Sequence, residues 1–130
     1  MAKASGGTRG GGARSVSSLG RTSQGYFKPA DGHYDFESKS TMKAVTDVIN
    51  NYNKGMDTRD PYYMTMSKPY FDESKGTDRF TISSKEFGTI AYVDSYDGAT
   101  PGPSAGGVYK DSVAQKINQA LSEETRKNSK

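Results

Sequence analysis

With 130 residues, 32% of them hydrophobic, and a mean hydropathy of −0.86, the chain has material for one small core and no more. It contains no cysteine, which excludes a disulfide framework, a thiolate nucleophile and a thiolate zinc site. No apolar run approaches the ~18 residues of a membrane span and no export-type apolar segment follows Met1, so a cytoplasmic product is expected. The net charge of +3 is unevenly placed: residues 1–30 carry Lys3, Arg9, Arg14, Arg21 and Lys28 with no acid, while the other hundred hold 13 basic and 15 acidic groups.

Residues 1–25 contain seven Gly and five Ser, with Met1, Val16 and Leu19 as the only large apolar side chains. So little apolar surface does not offset the entropy of ordering a chain, and the segment reads as a flexible basic arm. Ala2 excludes N-myristoylation. Within the arm, "SGGTRGGGARS" has the character of a glycine-rich cationic segment: arginine pairs with phosphate and stacks on bases while glycine leaves the backbone free to follow a strand. Lys3, Arg9, Arg14, Arg21 and Lys28 are therefore the candidate nucleic-acid contacts, against the simpler reading of a solubilising linker. As a phosphate-binding loop the stretch fails, because Ala13-Arg14 stands where Lys and then Ser or Thr are required. The opening "MAKASGGTR" resembles the N-termini of small proteins encoded by prophages and mobile elements of gut Bacteroidetes-type bacteria. That resemblance implies a phage or mobile-element context and brings no catalytic or binding residue with it.

The folded domain is predicted over residues 26–125, followed by a basic tail, 126–130. It holds 28 large apolar or aromatic residues, and the whole chain has nine Tyr and five Phe against two Leu. Buried Tyr needs a hydroxyl partner, so many of these rings belong at the core boundary or on a contact surface. "HYDFE" alternates at period two and predicts a short strand with Tyr34 and Phe36 inward. Its other parity presents His33, Asp35 and Glu37. These three side chains suit a divalent cation, or a base and acid for phosphodiester chemistry with Arg79 or Lys85 on the phosphate. The competing and stronger reading is the solvated face of a half-buried strand, with no metal and no cofactor.

"SKSTMKAVTDVINNYNKG" places Met42, Val45, Val48, Ile49 and Tyr52 at three- and four-residue spacing, with Ser40 or Thr41 to cap the first turn and Gly55 just past the end; this predicts a helix. In "DTRDPYYMTMSKPYF", Pro61 and Pro69 bound an extended candidate on an edge. Tyr62, Tyr63, Met64, Met66, Tyr70 and Phe71 there offer adaptable contact area for a protein partner, or else fill a leucine-poor core. "RFTISSKEFGTIAYVDSYDG" predicts an antiparallel hairpin. "DGATPGPSAGG", residues 97–107, reads as loop, with Lys110 a weak anion contact at the following helix start. The last helix carries Val113, Ile117, Ala120 and Leu121 on one stripe, Ser112 and Gln115 at capping-box spacing and basic residues at its end.

The expected fold is α+β: a small antiparallel sheet of about four strands with two helices on one face, preceded by a disordered arm. The expected function is a non-catalytic interaction protein, with a protein partner for the domain and nucleic acid or an acidic surface for the arm. Two alternatives are a small nucleic-acid hydrolase built on His33 with Asp35 or Glu37, and a structural virion or assembly component.

Overall fold

The computed structural model describes residues 19–103 and 107–128. Lys3, Arg9 and Arg14 lie outside the described residues. A two-stranded hairpin opens the fold, β1 (Gly20–Arg21) and β2 (Phe27–Lys28). Next come α1 (Lys39–Asn53), β3 (Thr65–Met66), β4 (Tyr70–Asp72), β5 (Thr77–Ser84), β6 (Gly88–Asp94), β7 (Gly98–Pro101) and α2 (Gly107–Asn128). The fold is α+β: a five-stranded antiparallel sheet and the small hairpin share the molecule with two helices. No helix among the described residues is long and apolar enough to cross a membrane.

In the main sheet β5 and β6 are central, β7 forms one edge, and β3 and β4 run in turn along the other side of β5. Opposed residues share a face in an antiparallel ladder. Phe80, Val93 and Ala99 therefore form one inward row, and Met66, Ile82 and Ala91 another. Onto these rows pack Val45 and Ile49 of α1 and Val113, Ala114, Ile117 and Leu121 of α2. A register shift between Ile82 and Ser83 gives β6 one extra residue, and both Ile90 and Ala91 are fully buried there. This is the effect of a bulge, which re-aims side chains that strict alternation would send to opposite faces.

The helix predicted from the 39–55 periodicity is present, but its cap is Ser38, whose Oγ accepts from the Thr41 amide at 3.3 Å. Ser38 also ends the preceding turn, which leaves Ser40 and Thr41 inside the first helical turn. α2 begins at Gly107, five residues before the expected capping box. Ser112 faces α1 instead, where its Oγ meets the Tyr52 hydroxyl at 3.1 Å.

Three expectations are corrected. "HYDFE" is no ladder strand: Tyr34 donates its amide to Ser95 O at 2.7 Å, and Phe36–Glu37 already turn toward α1. The burial alternation holds nevertheless, with Tyr34 and Phe36 buried and His33, Asp35 and Glu37 exposed. Second, Gly98–Pro101 is not loop but the edge strand β7. Glycine is required beyond it at Gly102, which donates its amide to Ile90 O at 2.7 Å; a side chain there would press into the Thr89 carbonyl. Third, the folded unit begins before Tyr26. Thr22 and Lys28 are buried, and Ser23 donates its amide and hydroxyl to Asp97, both at 3.0 Å.

Tyr34 ties this N-terminal hairpin to the core. Its hydroxyl donates to Phe27 O at 2.6 Å. Burial, with Asp97 nearby as a smaller cause, raises its pKa well above the ordinary tyrosine value, so the ring stays neutral.

Candidate functional site

His33, the most chemically versatile side chain of the fold, does not meet the acids expected to work with it. Its ring Nδ1 lies 3.3 Å from Ser95 Oγ, and the ring leans on Tyr96 with centroids 5.3 Å apart. Asp35 accepts the Glu37 amide at 2.9 Å. Ser95 is only 2% exposed and accepts the Asp78 amide at 3.1 Å, so it braces the strand ends rather than presenting a nucleophile.

Arg79 is also committed. Its Nη1 lies 3.5 Å from Asp72 Oδ2, its Nε 3.4 Å from Asp94 Oδ2, and its guanidinium sits 5.0 Å from the Tyr92 ring centroid. Asp94 further accepts from Thr77 Oγ1 at 2.7 Å and from the Tyr96 amide at 2.8 Å. This cluster knits the open face of the sheet and has no cation left for a phosphate. Lys85 occupies the β5–β6 turn, whereas His33 and Ser95 lie at the opposite end of β5, eight residues or roughly 25 Å away. Among the described residues no three His, Asp or Glu side chains converge as a metal site would require. The structure therefore places His33, Asp35, Glu37, Arg79 and Lys85 without assembling them into a catalytic group.

The two described members of the basic set are engaged within the fold. Arg21 sits 4.0 Å over the Phe27 ring and donates to Gly25 O at 2.8 Å. Lys28 is 5% exposed, with its Nζ 3.2 Å from the Tyr96 ring centroid and 3.2 Å from Tyr96 O. An ammonium held under a ring is not available to a polyanion, so Lys28 is a structural cation. Lys110 is fully buried and donates to Phe87 O at 3.4 Å, which removes it as a surface anion contact.

The Tyr/Met segment divides. Met64 is 1% exposed and belongs to the core, and Met66 packs partly against it. Tyr63 is half-buried. Tyr62, Tyr70 and Phe71 remain exposed, Phe71 the most at 61%.

How the sheet edges are treated singles out the last two. A free edge exposes unpaired backbone groups, and folds cover or blunt it. On β7, the buried amide of Asn118 accepts from Ala99 N at 2.8 Å and donates to Ala99 O at 2.9 Å, standing in for a further strand. On the other side, the amide of Asn53 accepts from Met64 N at 2.8 Å and donates to Met64 O at 2.9 Å. Among the described residues no such side-chain amide reaches β4. Phe71 pairs in register with Asp78, on the inward parity of β5, yet it lies beyond the packed core. Phe71 forms, with Phe36, Glu37, Lys68, Pro69, Tyr70 and Asp78, a groove of about 380 Å³. The groove floor is anchored, since Phe36 stacks edge-on to Phe80 with centroids 4.8 Å apart. A second cleft of about 410 Å³ also borders residues 34–38, walled by Leu19, Pro29, Tyr34, Asp35, the first turn of α1 and the end of α2.

Sequence reasoning missed the two asparagines and Asp78, and it gave Glu37 a role beside His33 rather than in the groove. Asn53 follows Val45 and Ile49 at four-residue steps, and Asn118 follows Ala114 in the same way; a lone amide on an apolar stripe is the legible signal. Glu37 and Asp78 carry no local signal of facing Phe71, because only the fold brings residues 36–37 beside β4. No family model matches this chain, and neither a curated protein nor a solved structure matches it.

Proposed function

We propose that this protein is a non-catalytic interaction module whose domain engages a protein partner at the β4 edge, while its basic N-terminal segment adds attachment to nucleic acid or another acidic surface. One observation carries the reading: the β4 edge, which no buried amide among the described residues covers, also bears the most exposed aromatic ring among them, Phe71. An extended partner segment gains affinity from main-chain pairing at such an edge and specificity from pockets beside it. Tyr70 and Phe71 supply rigid contact area at small rotamer cost. The test is selection of short random peptides on the full chain, followed by amide chemical-shift mapping of the enriched peptides. Shifts centred on Tyr70, Phe71 and Asp78 are expected; binding that maps elsewhere overturns the edge as the partner site.

The N-terminal contribution is open to a separate measurement. With Arg21 stacked and Lys28 buried, the segment offers Lys3, Arg9 and Arg14. Their share of the log–log salt slope for single-stranded DNA is then about −2, at roughly −0.7 per charge. Comparing the full chain with a Lys3→Ala/Arg9→Ala/Arg14→Ala variant reads that share directly. Lys28→Ala is expected to lower stability and leave the slope unchanged; a slope that falls with Lys28 overturns its structural assignment.

A further inference from the structure

The β4 groove combines two features that together select a guanidinium. Its walls are aromatic, Phe36, Tyr70 and Phe71, and its charged lining is two carboxylates, Glu37 and Asp78, against one ammonium, Lys68. Arginine stacks its planar head on a ring while pairing with a carboxylate, which lysine does less well. The fold itself already uses this arrangement once, where Arg79 lies over Tyr92 between Asp72 and Asp94, and it uses the stacking half of it again where Arg21 lies over Phe27.

We propose that the occupant of this groove is the chain's own N-terminal segment, residues 1–18, with Arg9 or Arg14 seated on the Phe71 and Tyr70 rings and paired to Glu37 or Asp78. Three arguments support this occupant. The segment carries Lys3, Arg9 and Arg14 with no acid, which complements the groove. Its point of attachment borders the same stretch of chain: Leu19 lines a cleft with Tyr34, Asp35 and Ser38, and the groove takes in the intervening Phe36 and Glu37. Its length suffices, because the ten residues from Arg9 to Leu19 span up to about 35 Å when extended, and the glycines between them accept whatever turns the path requires.

The inference rests on reading the groove as a binding surface, and it adds a consequence. A docked segment competes with an external peptide for the edge, and a polyanion that draws the arginines away frees the groove. Partner binding and nucleic-acid binding are then positively linked, since each favours the undocked state.

The absence of cysteine allows a direct test on the full chain. A Ser5→Cys substitution gives a single attachment point for a nitroxide spin label, and ¹⁵N amide intensities report which residues the label visits. Selective signal loss is expected at Glu37, Tyr70, Phe71 and Asp78, with Lys85 and Glu86 at the far end of the hairpin retained. Arg9→Ala/Arg14→Ala is expected to abolish that selectivity, as is high salt. Equal loss at both ends of the hairpin, or loss indifferent to the double substitution, overturns the proposal. A sample mixing spin-labelled unlabelled-nitrogen protein with ¹⁵N protein lacking the label separates the routes: signal loss there assigns the groove to a second copy's segment and overturns the intramolecular contact. None of these outcomes decides whether an external peptide binds the edge, which the selection experiment reads independently.

Discussion

Replacing Asn118 by alanine is expected to lower the unfolding free energy by about 2–4 kcal/mol, from one orphaned buried amide and the cavity left behind. Ala99 O retains Gln24 Nε2 at 3.1 Å, so the uncompensated loss falls on Ala99 N–H. For a domain of this size that corresponds to roughly 10–20 °C in melting temperature. Asn53→Ala is expected to cost a similar amount or more, because both polar groups of Met64 lose the amide that serves them. The physical reason is the same at both places. A helix amide has been placed where the next strand of the sheet would be, and its two hydrogen bonds terminate the ladder without leaving backbone groups dry and unpaired.

Asn118→Asp discriminates this account from simple packing. The carboxylate keeps the volume and one acceptor for Ala99 N–H, but sets an oxygen against Ala99 O, so it should fall near the alanine variant at neutral pH. Denaturant unfolding measures the cost, and hydrogen exchange at the Ala99 and Met64 amides locates it. If Asn118→Ala and Asn118→Asp both stay within about 0.5 kcal/mol of the parent, as surface substitutions do, the edge-closing role is wrong.

These asparagines also show how far the sequence could be read. The α+β class, the first helix and the β5–β6 hairpin follow from periodicity, because three- and four-residue spacing over Met42–Tyr52 and alternation over Phe80–Ser83 each reflect a local constraint. Burial of Tyr34 and Phe36 followed from the same alternation, although the segment makes no ladder; period two reports an extended backbone with one side inward, whether or not a neighbour pairs with it. Gly98–Pro101 was illegible as a strand because composition argues against it: Gly and Pro are poor strand formers, and what holds β7 in place is Val93, Tyr92 and the distant Asn118 rather than its own propensity.

The arm boundary failed for a related reason. "GRTSQG" reads as part of the arm, yet Ser23 meets Asp97 across 74 residues and the adjoining Lys28 meets Tyr96 across 68, which no local pattern encodes. The candidate site was half legible. Excess tyrosine beside proline pointed to "KPYF", but the separation of buried Met64 from exposed Phe71 depends on where the core ends. The acids that complete the groove arrive from residue 37 and from β5.

That separation yields the second large effect. Phe71→Asp is expected to cost no more than about 1–2 kcal/mol of stability: a side chain 61% exposed has little burial to lose, and the cost comes from a poor strand former whose carboxylate stands opposite Asp78. The same substitution should weaken an edge-binding peptide by about 2–4 kcal/mol, or roughly 30- to 1,000-fold, the range of a central aromatic anchor. Aspartate also adds a third carboxylate to a lining that already holds Glu37 and Asp78, so a peptide anchored by an apolar residue loses contact area and gains nothing. One anchored by arginine keeps the charge attraction and loses the ring it stacks on, so Phe71→Leu should also weaken it, while an apolar anchor should tolerate leucine.

Met64→Ala gives the converse pattern. At 1% exposure it is expected to cost about 2–5 kcal/mol of stability and, in molecules that remain folded, to leave peptide affinity close to the parent value. Isothermal calorimetry with a selected peptide, alongside denaturant unfolding of both variants, reads the two axes together. If Phe71→Asp binds as well as the parent, or Met64→Ala loses affinity without losing stability, the contact surface has been placed on the wrong side of the β3–β4 segment. If both substitutions move stability and neither moves affinity, Phe71 is packing the fold rather than waiting for a partner, and the uncovered β4 edge is closed by the backbone of Pro69 and the charge of Lys68 alone.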